Sequence, residues 1–301
     1  MTLNPYKLRE AFLRAPRVKG VSVPPSIDRP IEVAVERHVV GLWRKAADAA
    51  LKLVPLVRVS GDAALFINIP QADLTRVINQ IYRRHPESIS RAELFIDASQ
   101  VEFTRAINQV YRRYSGLTSL NERLKKEYEQ GNEVHKARYV REMDAALGTG
   151  IGDLLNDTKA LAEVDSSVRR SIDLIKTLDE DLKNRLAREI WLGVSEGNNR
   201  GSLREFILKN KADYPKWRAK LIARDQTAKL FSNLSRIRQE DVGITGYIWR
   251  TVGDGAVRNS HAALNNQHFR WDAPPSVGHP GDDYQCRCIA DPDIASAKLF
   301  T

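Results

Sequence analysis

Apolar side chains recur every three or four positions through most of this 301-residue chain. The longest such run is Val168, Ile172, Ile175, Leu178, Leu182, Leu186 and Ile190, which predicts one amphipathic helix across 168–194. A second, Val35, Val39, Leu42, Trp43, Ala46 and Ala50, predicts a helix over 31–54, with His38 as an ordinary member. A third, Trp217, Leu221, Ala228, Phe231, Leu234 and Ile237, predicts another over 217–237. Beyond Gly243 and Gly246 the period shortens to two in "YIWRTV", the mark of a half-buried strand. The fold class expected is α+β, with mainly helical N-terminal and central regions and a small C-terminal mixed α/β domain.

Breaks in the pattern divide the chain. Pro5, Pro16, Pro24, Pro25 and Pro30 interrupt residues 1–31, which read as an extended basic arm or ordered lead-in, suited equally to wrapping a partner or lying on its own domain. Residues 32–215 read as a helical region. Within it "TRVINQIYRR" at 75–84 returns as "TRAINQVYRR" at 104–113, each copy putting two aliphatic residues and a tyrosine on one face and paired arginines on another. Two copies do not make a solenoid. Ser90 with Glu93, Ser119 with Glu122 and Ser202 with Glu205 have capping-box spacing and predict helix starts. "LGTGIGDLLNDT" predicts a break after a polar helix over 121–147. Residues 216–292 form the terminal domain and 293–301 a tail.

Charge changes this picture at the N-terminus. The formal net charge is +9, and residues 1–60 hold eleven Lys/Arg against five Asp/Glu. A basic segment speeds encounter with nucleic acid or an acidic protein, although a solvated basic face has the same composition. Lys7, Arg9, Arg14, Arg17 and Lys19 are its candidate contacts. No apolar run is long enough to span a bilayer, so no membrane insertion is expected, and the first residues lack the apolar segment of an export signal. Two cysteines at i and i+2 cannot staple distant segments. Phosphate-loop, HExxH, GxSxG and dinucleotide motifs are absent.

Chemistry-bearing residues collect at the C-terminus. "GDGAVRNSHAALNNQHFRW" predicts a short helix, a tight turn at Asn265–Asn266 with an αL position, and a return strand. Arg258 and His261 stand one helical turn apart, and Asp254 can balance Arg258. Arg258 can instead position backbone carbonyls or a carboxylate. Cys286 and Cys288 are expected on one face of a strand, with Arg287 opposite. Zinc favours tetrahedral nitrogen and sulfur donors, so His261, His279, Cys286 and Cys288 form a candidate site, with His268 as a substitute ligand. Metal-free packing of the same residues, with no cofactor at all, is the competing reading, and other cysteine chemistry a third.

Taken together, "LIARDQTAKLFSNLSRIRQEDVGITGYIWRTVGDGAVRNSHAALNNQHF" and "PPSVGHPGDDYQCRC" resemble the C-terminal domain of the phage Mu F-like minor head proteins, the phage head morphogenesis family. The resemblance spans 216–292. It rests on Ala223 and Arg224, Gly243 and Ile244, Trp249, Asp254, Val257, Arg258, His261, His279, Pro280, Cys286, Arg287 and Cys288. Asn265 stands where the family commonly has glycine, a position that asparagine tolerates.

The resemblance implies a non-catalytic virion component of a tailed bacteriophage, needed for head morphogenesis. It further implies a place inside the head near the portal protein, after assembly in the host cytoplasm. Expected partners are the portal and, more loosely, the major capsid protein, scaffold protein and packaged double-stranded DNA, with roles in DNA packaging, retention or ejection. A metal-dependent enzyme built on the His/Cys/Asp cluster, or a nucleic-acid-binding module, are the alternatives.

Overall fold

The computed structural model describes residues 10, 11, 14, 17–52, 104–114, 116–148, 150–195 and 200–297. They form helices α1 (Pro25–Leu51), α2 (Leu117–Leu147), α3 (Asp157–Ser195), α4 (Arg200–Glu205) and α5 (Asp213–Asp241). Strand β1 (Gly246–Arg250), short helix α6 (Asn259–Ala262), β2 (His268–Arg270) and β3 (Ile289–Pro292) follow. The chain is α+β, mainly helical, with one three-stranded antiparallel sheet in the order β2-β1-β3. Two compact units arise, from the described parts of Met1–Ala34, Thr118–Asp173 and Leu221–Thr301, and of Val35–Leu117 and Leu174–Lys220.

In the first unit, helix ends follow local chemistry. Asn156 caps α3, its Oδ1 accepting from the backbone N–H groups of Thr158 (3.0 Å) and Lys159 (3.4 Å). Glycine at positive φ ends α2 at Gly148 and α5 at Gly243, where Ile244 N–H returns to the Gln239 carbonyl at 2.9 Å. Tyr128 Oη and Ser171 Oγ, 2.9 Å apart, tie α2 to α3, and Asn233 Nδ2 donates to Glu163 at 2.8 Å to tie α5 to α3.

Helix α5 departs from its apolar pattern. Its buried set holds Ala223, Leu230, Phe231 and Leu234, but also Asp225, Gln226, Thr227, Ser235, Arg238 and Gln239, whereas Trp217 is 54% exposed. Apolar spacing misses this face because polar side chains that bond to one another can be buried as well. Between α2 and α5, buried Arg238 donates to His135 Nδ1 (2.7 Å), Asn132 Oδ1 (2.5 Å) and the Asn132 carbonyl (3.2 Å). His135 Nε2 lies 2.9 Å from Ser235 Oγ, whose own hydroxyl donates to the Phe231 carbonyl. Desolvation, then the Arg238 charge, hold the His135 pKa well below the ordinary histidine value. The neutral ring accepts at Nδ1 and donates from Nε2.

Where it is described, the N-terminal segment lies against its own fold, one of the two placements open to it in the sequence. Helix α1 begins at Pro25, six residues before the predicted start, because a proline at the first helical position gives up an N–H that has no intrahelical partner. The Pro24 carbonyl accepts from the N–H groups of Ile27 and Asp28. Upstream, Arg17 pairs with Asp291 of β3 at 3.0 Å, and Gly20 N–H donates to the same carboxylate at 2.8 Å. A Cβ on Gly20 would stand 2.7 Å from the Ala290 carbonyl oxygen, so only glycine fits this approach.

The second unit buries Val35, Val39, Leu42, Trp43, Ala46 and Ala50 of α1 and Ile175, Leu178, Leu182, Leu186 and Ile190 of α3, as their spacing predicted. Val168 and Ile172, from the same stripe, are buried in the first unit. The copy at 104–113 is helical with Ile107 and Tyr111 buried; its counterpart at 75–84, like Ser90 and Glu93, lies outside the described residues. Ser119 and Ser202 sit inside α2 and α4 rather than at their starts, so neither is an N-cap.

Candidate functional site

Strand β1 builds the site through its alternation. Tyr247 and Trp249 project to one side and, with Trp271, Cys286, Cys288 and Ala290, form a buried cluster. Register places Trp249 opposite Ala290 and Arg250 opposite Ile289, so pairing with β3 starts only after the cysteines. Cys286 and Cys288 therefore lie in the loop entering β3, not on a strand. They are still buried while Arg287 points outward, because the turn before them sets their direction.

That turn is held from α5. Gln285 adopts φ +56°, and its N–H donates to Asp225 Oδ1 at 2.7 Å while its side-chain amide donates to the Leu221 carbonyl at 2.7 Å. Gly281, at φ +95°, lets the loop close on Ser232, whose hydroxyl donates to the buried Pro280 carbonyl. Gln239 bridges the Ala290 carbonyl and Trp271 Nε1, each at 3.1 Å. Asp225, Gln239 and Gln285 were not singled out by sequence reasoning; for Asp225 and Gln239, polar residues spaced along the α5 stripe were the available signal.

The short helix α6 supplies the imidazole. Arg258 is its N-cap residue, and its carbonyl accepts from His261 N–H at 3.0 Å. His261 is buried edge-on against Trp249, with ring centroids 5.4 Å apart. Its Nδ1 lies 3.5 Å from Cys286 Sγ and 3.6 Å from Cys288 Sγ, and its Nε2 lies 3.3 Å from Asp283 Oδ2. Gly281 N–H points at Cys286 Sγ from 3.4 Å. The thiols hold their protons unequally: a hydrogen bond from Cys288 lowers the Cys286 pKa, and the same interaction, with burial, raises that of Cys288.

Other predicted members go elsewhere. His279 does not join the cluster: its Nδ1 lies 3.0 Å from Tyr247 Oη and its ring packs against Trp271 at 5.0 Å. Burial lowers its pKa. His268 is exposed and pairs with Asp293 at 2.8 Å. Asp254 pairs with Arg287, through bonds of 2.7 and 2.8 Å, rather than with Arg258. Arg258 takes the Tyr284 carbonyl at 2.6 Å and Asp283 at 3.2 Å, the carbonyl-and-carboxylate role open to it in the sequence. Asn266 has φ +71°, the αL turn expected there.

Of the basic candidates, Arg14 and Lys19 are exposed, Arg17 is engaged by Asp291, and Lys7 and Arg9 lie outside the described residues. Arg224 is exposed and borders a cavity of about 250 Å³ together with Ser232, Cys286 and Cys288. No helix among the described residues is long and apolar enough to cross a membrane.

Residues 184–290 match the family model described as Phage Mu protein F like protein. Over 168 residues the chain is 31% identical to an uncharacterized protein of Haemophilus influenzae, covering 54% of this chain and 37% of that protein. The chain thus spans less than half the length of the curated relative that it matches. No solved structure matches. The Mu F-like match begins at residue 184, upstream of the 216–292 stretch on which the resemblance rested.

Proposed function

We propose that this protein is a minor head component of a tailed phage, acting in head morphogenesis as a non-catalytic structural part bound to the portal inside the head. The observation that carries the reading is the Mu F-like match over 184–290. The use of polar groups in the terminal module agrees with it. Asp254, Arg258, Asp283 and Arg287 bind one another or backbone, and His261, Cys286 and Cys288 are buried. Such a module is suited to holding shape.

The basic N-terminal segment is the proposed contact with the portal, with packaged DNA as a secondary neighbour and a part in packaging, retention or ejection. Arg17 is engaged within the fold, so exposed Arg14 and Lys19, with Lys7 and Arg9, carry this role. Capsid and scaffold contacts are subsidiary to it.

Pull-down with purified portal tests this reading, using the full chain, a chain lacking residues 1–16, and an Arg14→Gln/Lys19→Gln variant. Residues from Arg17 onward stay in place because they belong to the fold. The full chain should bind, and both altered chains should bind less at low salt, with a difference that shrinks as salt rises. Absence of portal binding by the full chain would overturn the portal assignment. Equal binding by all three would remove the segment from it.

A further inference from the structure

We infer that Cys286, Cys288 and His261 form a structural zinc site, a three-residue set that leaves out His279. Among the described residues these three are the group of metal-ligating side chains whose donor atoms lie within 4.8 Å of one another. Zinc–sulfur bonds of about 2.3 Å and zinc–nitrogen bonds of about 2.0 to 2.1 Å at tetrahedral angles require nitrogen–sulfur separations of about 3.5 Å. The two observed separations are 3.5 and 3.6 Å, the edges of such a tetrahedron.

The surroundings have the form of a metal site. With Nδ1 turned to the sulfurs, Nε2 lies 3.3 Å from Asp283 Oδ2 without forming a hydrogen bond to it, and Arg258 holds that carboxylate from 3.2 Å. A carboxylate that accepts from the second nitrogen of a ligating histidine fixes its tautomer and raises its basicity, and Asp283 stands within reach of that role. Gly281 N–H, directed at Cys286 Sγ, stabilises a thiolate there. A cavity of about 20 Å³ is lined by all three donors and by Arg258, room for one ion or one water. Two soft sulfurs and an imidazole select zinc over magnesium or calcium.

The ion would tie α6 to the entry of β3. Those segments are otherwise joined through turns and side chains, since the pairing of β1 with β3 begins only at Ile289. Strands of three to five residues leave the module with few ladder hydrogen bonds, the situation in which a metal staple adds most. One tetrahedral position remains for a water.

Elemental analysis of full-length protein, purified without metal-affinity steps, tests the site together with spectra of the cobalt(II)-exchanged protein. The expected result is one zinc per chain, a thiolate-to-cobalt charge-transfer band, and a lower melting midpoint after chelation. Cys286→Ser and Cys288→Ser should each halve the charge-transfer intensity. His279→Gln should keep the metal, and Asp283→Asn should weaken zinc binding by about 10- to 100-fold.

A folded wild-type chain that takes up neither zinc nor cobalt overturns the site. Metal retained by the Cys286→Ser/Cys288→Ser double variant also overturns it. Loss of metal in a folded His279→Gln variant overturns the three-residue set. The cobalt spectrum of the wild type reads out thiolate ligation even if a cysteine variant fails to fold, and none of these outcomes bears on portal binding.

Discussion

Arg238 donates to His135 Nδ1 across 2.7 Å in a fully buried setting, and no carboxylate hydrogen-bonds that guanidinium among the described residues. The cation is held by a neutral imidazole, an amide oxygen and a backbone carbonyl. Burial brings the Arg238 pKa down to about 10, still well above neutrality, so the charge persists and His135 stays neutral beside it.

This pairing predicts acid sensitivity. Unfolded, His135 titrates near its ordinary value of about 6.5, while its folded pKa lies well below. As pH falls below about 6.5 the unfolded chain takes up a proton that the folded chain refuses, so stability present above that pH is progressively lost. The loss from this group is about 1.4 kcal/mol per pH unit until the folded pKa is reached. Urea midpoints measured between about pH 8 and about pH 5 should show the slope, and His135→Gln should flatten it.

Replacing Arg238 removes three hydrogen bonds at once and leaves His135 and Asn132 buried without their donor. Unsatisfied buried groups cost about 1–3 kcal/mol each, so Arg238→Ala should lose roughly 3 kcal/mol or more in denaturant unfolding. Arg238→Gln, which keeps some donors, should lose less.

The turn that presents Cys286 depends on Asp225. Asp225→Ala strips the acceptor from Gln285 N–H and from Lys229, which should cost about 2 kcal/mol. The local signature is faster hydrogen exchange at the Gln285 amide and its neighbours, with exchange on α2 changed only by the global loss. Exchange that is unaltered at Gln285 would contradict the role.

Asp291 anchors the N-terminal segment, and its two arginines differ in weight. Arg250 lies 2.7 Å away and is largely buried, whereas Arg17 lies 3.0 Å away with about half its side chain in water. Solvent screens the second pair more, so Arg250→Gln should lower the melting midpoint further than Arg17→Gln. Asp291→Asn should exceed either alone.

Gly281→Ala combines a left-handed backbone with a Cβ that would stand 2.6 Å from Ser232 Cβ. The conformational part alone costs about 1–2 kcal/mol. Thermal unfolding should show a larger loss than Gly255→Ala, where a Cβ meets open space.

Much was settled by sequence. The stripe from Val168 to Ile190 determined a helix, because apolar side chains at a 3.6-residue period can be buried together in no other regular structure. The change of period at Tyr247 and Trp249 determined a strand, and Asn266 a left-handed turn, each from properties local to the chain. The residues marking the Mu F-like resemblance were legible for the same reason: they fall in short local motifs on α5, on β1, around α6 and in the loop before β3. Only the tertiary structure decided which side chains meet. It paired Asp254 with Arg287, brought His261 rather than His279 to the cysteines, and drew Arg17 onto Asp291. It also buried a polar face of α5, which apolar spacing by itself misses. Those outcomes depend on contacts between residues as much as 274 positions apart, and local propensity carries no term for them.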